Sequence, residues 1–332
     1  LPDERGALKN AIRTPIGTRP LKQTVGSDQT VAISVCDITR PMPSSRVLPI
    51  LLEELSHVPD EQITILIATG THRQNTGIEL EEMLGTEVVN RYQVVNHNSF
   101  DPDTIINVGE TSNGIPILLN SIWVNADFRI TTGFVEPHFF AGFSGGPKMV
   151  APGLAGFETI MHLHSAPLIA HNNSVWGITD GNPIHDSIRE ISYKTGVDFS
   201  IDVTINREHK ITSVYAGELF AVHKAACDVS RRLSMRAVTS PYEIVVTTNS
   251  GYPLDMNVYQ SVKGMSAAAQ IVQYGGTIIC ASECSEGIPD HGEYKELLSS
   301  RDTPKELLEM IIEKGIKEIE TIYINDVDQG PY

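Results

Sequence analysis

The chain has 332 residues, of which 41% are hydrophobic and 20% charged. That is enough apolar material to exclude wholesale disorder, and more length than one typical domain needs. Its 25 basic residues face 41 acidic ones, for a formal charge of −16, a balance that excludes a general nucleic-acid or anionic-membrane binder. No apolar run reaches the roughly 18 residues of a transmembrane helix, and the opening LPDERGALKN has no signal-peptide core. A cytoplasmic protein is expected, with neither nucleic acid nor membrane as partner. The cysteines Cys36, Cys227, Cys280 and Cys284 form no CxxC pair, which favours free buried thiols in a reducing compartment over zinc. The chain starts without Met and stops at QGPY, and truncation at both ends is expected.

Along the chain, short apolar runs rich in β-branched residues alternate with helical patterns. VAISVCD (31–37) predicts a first strand, and SSRVLPILLEELSHV (44–58) a helix with Ser44 or Ser45 as its N-cap. ITILIATG (63–70) predicts a second strand, ELEEMLG (79–85) a helix and FRITTGF (128–134) a third strand. GFETIMHLHS (156–165) and GELFAVHKAACDVSRRLS (217–234) predict helices. Beyond them EIVVTTNS (243–250), GTIICAS (276–282) and ETIYIND (320–326) predict strands, separated by helices over 261–273 and 303–316. Strand then helix, repeated, predicts an α/β fold with mostly parallel sheets. The boundary falls near 235–242, giving an N-terminal α/β domain (1–238) and a smaller C-terminal one (239–332), two lobes with an active-site cleft between them.

In open α/β sheets, ligands bind beyond the carboxyl ends of the strands, and the unusual polar residues fall there. Asp37, Thr39 and Arg40 follow the first strand as DITRP; Thr71, His72 and Arg73 follow the second as ATGTHR. Glu136 and His138 follow the third, and Asp255, Tyr259, Gln260 and Lys263 the fourth. His72 and His138 form a candidate acid/base pair, as racemisation or epimerisation of one carbon would need. Arg40 and Lys263 supply positive charge that the overall balance lacks, and Arg40 can grip a carboxylate with two hydrogen bonds.

The segment AGFSGGPKMVAP (141–152) is the most constrained. Gly142, Gly145 and Gly146 permit backbone conformations closed to other residues, and Pro147 fixes the chain before Lys148. A tight turn with a solvated lysine and a positioned nucleophile or attachment point are both open readings. A P-loop is disfavoured, because Pro147 precedes the lysine and Met149 follows it. His164 falls on the helical stripe of Phe157, Ile160 and Met161 and points inward, as a core residue or as a metal ligand. His162 lies with Glu158 and faces solvent. His97, His171, His185, His209, His223 and His291 join no constellation.

Taken together, DITRP, ATGTHR, HFFAGFSGGPKMVAPGLAG, the HLHS histidine and YQSVKGM resemble, in order and spacing, the nickel-pincer-dependent lactate racemase family. The resemblance runs over nearly the whole chain, and its central motif is highly specific. It implies a nickel cofactor carried by a pyridinium-3,5-bisthiocarboxylic acid mononucleotide, tethered to Lys148 as a thioamide, with His164 as nickel ligand. It also implies His72 and His138 as acid/base histidines, and Arg40, Gln260 and Lys263 as polar residues around substrate and cofactor. Gly145 and Gly146 belong to the cofactor loop. Asp37 and Thr39 either contact the cofactor phosphate or orient Arg40. The family's members generally begin earlier and run on further.

The reaction so implied inverts C2 of a 2-hydroxy acid, lactate or a relative, by proton-coupled hydride transfer to the pincer, which does the step that acid/base groups cannot. Separate cofactor-biosynthesis proteins would mature the enzyme; which hydroxy acid is used and the oligomeric state stay open. Two alternatives differ in class. A nucleotide-dependent phosphotransferase using the SGGPK loop would need the Ser or Thr after Lys148 that the chain lacks. A non-catalytic binding protein for a nickel-nucleotide or hydroxy acid would have no use for His72, His138 and Arg40 as a set.

Overall fold

The computed structural model describes residues 1–252, 254–288 and 294–314. The chain divides into two compact units. One comprises Leu1–Leu163 with Asn172–Met235; the other comprises His164–His171 with the described residues from Arg236 on.

The first unit is built on β1 (Val31–Cys36), β2 (Ile63–Ala68) and β3 (Gln93–Asn96), then a hairpin of β4 (Ile105–Glu110) and β5 (Pro116–Asn120). After these come β6 (Phe128–Phe134), a small hairpin of β7 (Pro137–His138) and β8 (Gly142–Phe143), β9 (Phe199–Ile205) and β10 (Ile211–Gly217). Six of them form one sheet in the order β10-β9-β6-β1-β2-β3, antiparallel only between β9 and β10. The mostly parallel sheet therefore stands as the alternation of runs predicts.

β1 explains why. Its VAISVC is buried at every position, as a central parallel strand covered on both faces must be, and it pairs with β2 on one side and β6 on the other. The order also carries a reversal. From β1 the chain proceeds outward to β2 and β3, then returns to β6 on the opposite side of β1. A crevice at the strands' carboxyl ends between β1 and β6 is where such sheets bind ligands.

Several expectations shift in detail. The helix after β1 spans Ser44–Glu54, and the residue before it is Pro43, so neither Ser44 nor Ser45 caps it through a side chain. The strands β3, β9 and β10 carry no clean apolar run; β9 interleaves Ser200, Asp202 and Thr204 with its apolar residues, and all three are buried. The helix expected over 156–165 ends at Leu163.

In the second unit, β11 (Tyr242–Thr248) and β12 (Val272–Ala281) pair in parallel around the helix Val258–Ala269. That helix begins earlier than its apolar pattern suggests because the Asn257 side chain caps it, accepting from the Gln260 amide at 3.0 Å. The expected strand over 320–326 and His291 lie outside the described residues. All four cysteines are free, Cys36 and Cys227 buried and Cys280 and Cys284 half-buried, which corrects the expectation of four buried thiols. Among the described residues, no helix is long and apolar enough to cross a membrane.

Ile33 sits mid-strand in β1 with 0% exposure, inside the main apolar cluster. Ile33→Ala is expected to lower unfolding free energy by about 2–5 kcal/mol, measured by denaturant titration; a loss below about 1 kcal/mol would show that β1 is not the packed centre of the sheet.

Candidate active site

Cys36 of β1 pairs with Ala68 of β2, so the two strands end level and their following loops start side by side. This brings Asp37 and His72 together: His72 Nδ1 lies 2.6 Å from Asp37 Oδ2. The other carboxylate oxygen accepts from Thr39 Oγ1 at 2.7 Å, and Arg40 Nη1 donates to both Thr39 Oγ1 and the Thr39 carbonyl, at 3.0 and 3.1 Å. Asp37 is only 5% exposed. Burial pushes its pKa up, but the charges of His72 and Arg40 and the hydrogen bonds from His72 and Thr39 outweigh it and hold the carboxyl below the usual range. Of the two roles open to Asp37 and Thr39, the geometry supports orientation: both Asp37 oxygens are engaged by protein, and Thr39 braces Arg40.

Asn75, which the sequence reading passes over, is buried beside them. Its Oδ1 accepts from the Ile38 amide at 3.3 Å, and its own backbone is clasped by Asn96 through two hydrogen bonds. The neighbouring Arg73 turns instead to Glu79, with a bidentate pair at 2.7 and 2.9 Å.

β6 delivers the next two groups. His138 stands on the β7–β8 hairpin, 8% exposed, stacked on Phe139 and edge-on to Phe140. Its Nδ1 accepts from the Ala141 amide at 3.2 Å and from the Phe140 amide at 3.5 Å. The hairpin is fixed from behind by Asn182, whose amide donates to the Phe140 carbonyl at 2.8 Å. Gly142 is needed there, since it has φ +79 and a Cβ would sit 2.1 Å from the Ile178 carbonyl oxygen.

Lys148 is half-buried on a single 3-10 turn, Gly146–Met149, with Nζ 5.7 Å above the Phe140 ring. The turn is tied down on every side. Ser34 of β1 donates to the Met149 carbonyl at 2.7 Å, Gly153 N–H to the Lys148 carbonyl at 3.2 Å, and Gly70 N–H to the Gly153 carbonyl at 3.0 Å. The last two link the lysine turn to the loop that carries His72.

Gly145 and Gly146 have positive φ, and a Cβ on them would meet Val135 at 2.7 Å and His223 at 2.4 Å respectively. Close packing alone requires glycine at both positions. Beneath them lies a buried polar layer that sequence reasoning missed. Asp202 Oδ1 accepts from Gly146 N–H at 3.1 Å, and His223 Nε2 donates to the Ser144 carbonyl at 2.9 Å. His185 stacks on His223 at 5.5 Å. Burial depresses both histidines, His185 to about 3 and His223 to about 4, so they stay neutral. Asp202 is 0% exposed, and burial, only partly offset by Gly146 N–H, pushes its carboxyl up to about 7. These residues left no mark in the sequence because they are scattered over β9 and two helices.

His164 does not lie on the inward stripe of its helix. It follows the helix end as a half-buried turn residue and groups with the second unit. His162 is exposed, as expected, with its Nδ1 bonded to the Glu158 carbonyl. In the second unit, Gln260 is buried in the first turn of its helix and accepts a hydrogen bond from Lys263 Nζ one turn on. Asp255 is buried nearby and accepts from the Glu283 amide at 3.0 Å. Among the described residues, no three His, Cys, Asp or Glu side chains gather where they could hold a metal ion.

Set against known proteins, residues 1–177 match the family model for the lactate racemase N-terminal domain, and residues 237–324 that for the lactate racemase C-terminal domain. The chain belongs to the lactate racemase family. It is 37% identical over 317 residues to the lactate racemase of Thermoanaerobacterium thermosaccharolyticum, covering 95% of this chain and 74% of that one. To the lactate racemase of Lactiplantibacillus plantarum it is 38% identical over 310 residues, covering 93% and 73%. The structure superposes on the lactate racemase apoprotein from T. thermosaccharolyticum with a TM-score of 0.89 at 34% identity, over 97% of this chain and 76% of that one. A Thermotoga maritima protein shares the fold, with a TM-score of 0.74 at 20% identity, over 96% of this chain and 80% of that one. The chain is thus an isomerase of the racemase type, and the phosphotransferase and non-catalytic alternatives fall away.

Asp202 makes a pH test of the layer under Lys148. Unfolded, its carboxyl ionises near about 4; folded, near about 7. The native state therefore holds the extra proton between these values, and stability falls as pH rises through that window. Asp202→Asn keeps an acceptor for Gly146 but cannot ionise. Its thermal midpoint relative to wild type should climb from about pH 4 to 7 and then level; a gap that stays constant with pH would show that Asp202 carries the same charge folded and unfolded.

Proposed function

We propose that this racemase inverts C2 of a 2-hydroxy acid, with lactate, the compound in its relatives' names, as the first candidate. The observation that carries the reading is the set gathered at the sheet's reversal point: the Asp37–His72 pair, Arg40 braced by Thr39, His138 on its rigid hairpin and Lys148 on its tied turn.

The same residues fit a nickel-pincer nucleotide. No side-chain cage for a metal exists among the described residues, so nickel would have to bring most of its donors on an organic carrier. Lys148, fixed at its backbone and half-buried, suits covalent tethering of that carrier as a thioamide, and His164 offers one imidazole to the nickel. When bound, the group supplies reversible hydride acceptance from C2, which no side chain of the chain can provide.

The protein's own part is charge, orientation and the proton. Arg40 grips the substrate carboxylate, offsetting an overall charge that would otherwise repel it. Gln260 and Lys263 add an amide and an ammonium for anionic groups. His72 and His138 handle the hydroxyl proton. Asp37 orients the His72 ring and stabilises its charged form.

Chain loaded with the cofactor and given one pure enantiomer of each 2-hydroxy acid in turn should convert at least one to the racemate, without uptake of deuterium at C2 in deuterated water. Deuterium at C2 would mean proton abstraction from carbon, and inertness toward the whole series would overturn the reading. Lys148→Ala should retain neither the adduct mass nor the nickel, measured by intact mass and metal analysis.

A further inference from the structure

Arg40 is only as well placed as the turn that carries it, and we infer that Asn75 places it: by holding the Ile38 amide, Asn75 fixes the turn Asp37–Arg40 and so sets where the Arg40 guanidinium meets the substrate carboxylate. Asn75 acts through its neighbours and is a positioning residue. This rests on the racemase reading above, in which Arg40 grips that carboxylate.

Asp37–Arg40 is a four-residue turn, closed by Arg40 N–H on the Asp37 carbonyl at 3.2 Å. Its two ends carry the chemistry, a carboxylate at one and a guanidinium at the other. The amide of the second residue in such a turn finds no acceptor within it, and here that residue is Ile38. The Asn75 side chain supplies the acceptor, with Oδ1 3.3 Å from Ile38 N. The two ends differ in what else holds them. Asp37 follows directly on β1, and its oxygens are engaged by His72 and Thr39. Arg40 is held by the turn itself, its amide by Asp37 and its Nη1 by Thr39, which leaves Nε and Nη2 for a carboxylate. Play in the turn therefore reaches Arg40 before it reaches Asp37.

Asn75 is well fixed for such a task. It is 1% exposed, and Asn96 clasps its backbone, accepting from the Asn75 amide at 2.8 Å and donating to the Asn75 carbonyl at 2.9 Å. Asn96 ends β3 and pairs in register with Ile67 of β2, so the clasp is anchored in the sheet. The side chain is used at both ends. Arg73 chiefly, and with it the Thr76 amide and the Asn75 side chain, hold the Glu79 carboxyl below its usual range. With a carboxylate on one side and the Ile38 N–H on the other, the amide has one orientation, NH2 toward Glu79 and oxygen toward Ile38. Asn75 thus bridges from the end of β3, through the loop after β2, to the turn after β1.

The kinetic signature follows from the reaction. Inversion at C2 leaves the substrate carboxylate ionised throughout, so a group that grips it contributes alike in ground state and transition state. Misplacing that group raises KM and leaves kcat nearly unchanged. A loss of general fold stability has no such signature.

On loaded enzyme, with a 2-hydroxy acid that wild type racemises, N75A should raise KM about 5- to 30-fold and keep kcat within about threefold. N96A, which loosens Asn75 from the far side, should move KM in the same direction, and the double variant should cost less than the product of the two changes. Leu8→Ala, a buried core substitution on the first helix, should leave KM at the wild-type value. In the cofactor-free chain, the Ile38 amide of N75A should exchange with deuterated water at least about tenfold faster than in wild type, and by a larger factor than the Ile33 amide in mid-β1. A wild-type KM in N75A, a fall in kcat with KM unmoved, an equal KM rise in Leu8→Ala, or no faster exchange at Ile38 would each overturn the assignment. If N75A fails to fold, N96A is read by the same two measurements, with the same outcomes deciding. Loaded wild type inert toward every 2-hydroxy acid overturns the racemase reading; a racemising wild type with KM unmoved in N75A overturns the role of Asn75 alone.

Discussion

Asp37 is buried at the end of β1 and still ionised, because His72, Thr39 and Arg40 surround it and together outweigh the cost of removing it from water. Most of the site depends on that carboxylate. It sets the tautomer of His72, it holds Thr39 where Thr39 can brace Arg40, and through them it joins the loops after β1 and β2 into one unit. Those loops can be joined only because parallel pairing in register ends the two strands level. The sheet supplies position, and the carboxylate converts position into chemistry.

A second buried aspartate in the same sheet is treated in the opposite way. Asp202 on β9 has no ion-pair partner among the described residues, and its carboxyl is pushed up to about 7 by burial. It is spent on holding Gly146 N–H, with the neutral His185–His223 pair alongside. Around these groups Gly145 and Gly146 allow the backbone to come closer than any side chain would permit. The result is a floor under Lys148 that has few ways to move. Rigidity at that place suits the attachment point proposed for Lys148, since a tether fixes a reactive group only as well as its own backbone is fixed.

The sequence showed the architecture where burial was two-sided. VAISVC is a nearly continuous apolar run because both faces of β1 are covered, and such a run is visible without a structure. β9 escaped notice because Ser200, Asp202 and Thr204 interrupt it, and their burial is satisfied by tertiary partners that no local pattern reveals. The site divides in the same way. Asp37, His72, His138 and Lys148 stand out as candidates because they sit at strand ends or in a glycine–proline loop. Asn75, Asp202 and His223 do not, since each acts on a backbone atom far away in sequence, and His185 is placed only by its stacking on His223. The inward stripe that suggested His164 assumed a helix two residues longer than the one that forms.

The proposed chemistry requires the Asp37 carboxylate to make His72 a base. Asp37→Asn tests it most directly, because the change is nearly isosteric and an amide can turn its NH2 toward Nδ1 and reverse the ring's tautomer. On loaded enzyme with unchanged circular dichroism, kcat for 2-hydroxy acid racemisation should fall by about 10²–10⁴-fold, and His72 Nδ1 should lose its proton in the nitrogen-15 spectrum. A folded Asp37→Asn protein that racemises at the wild-type rate would contradict the account.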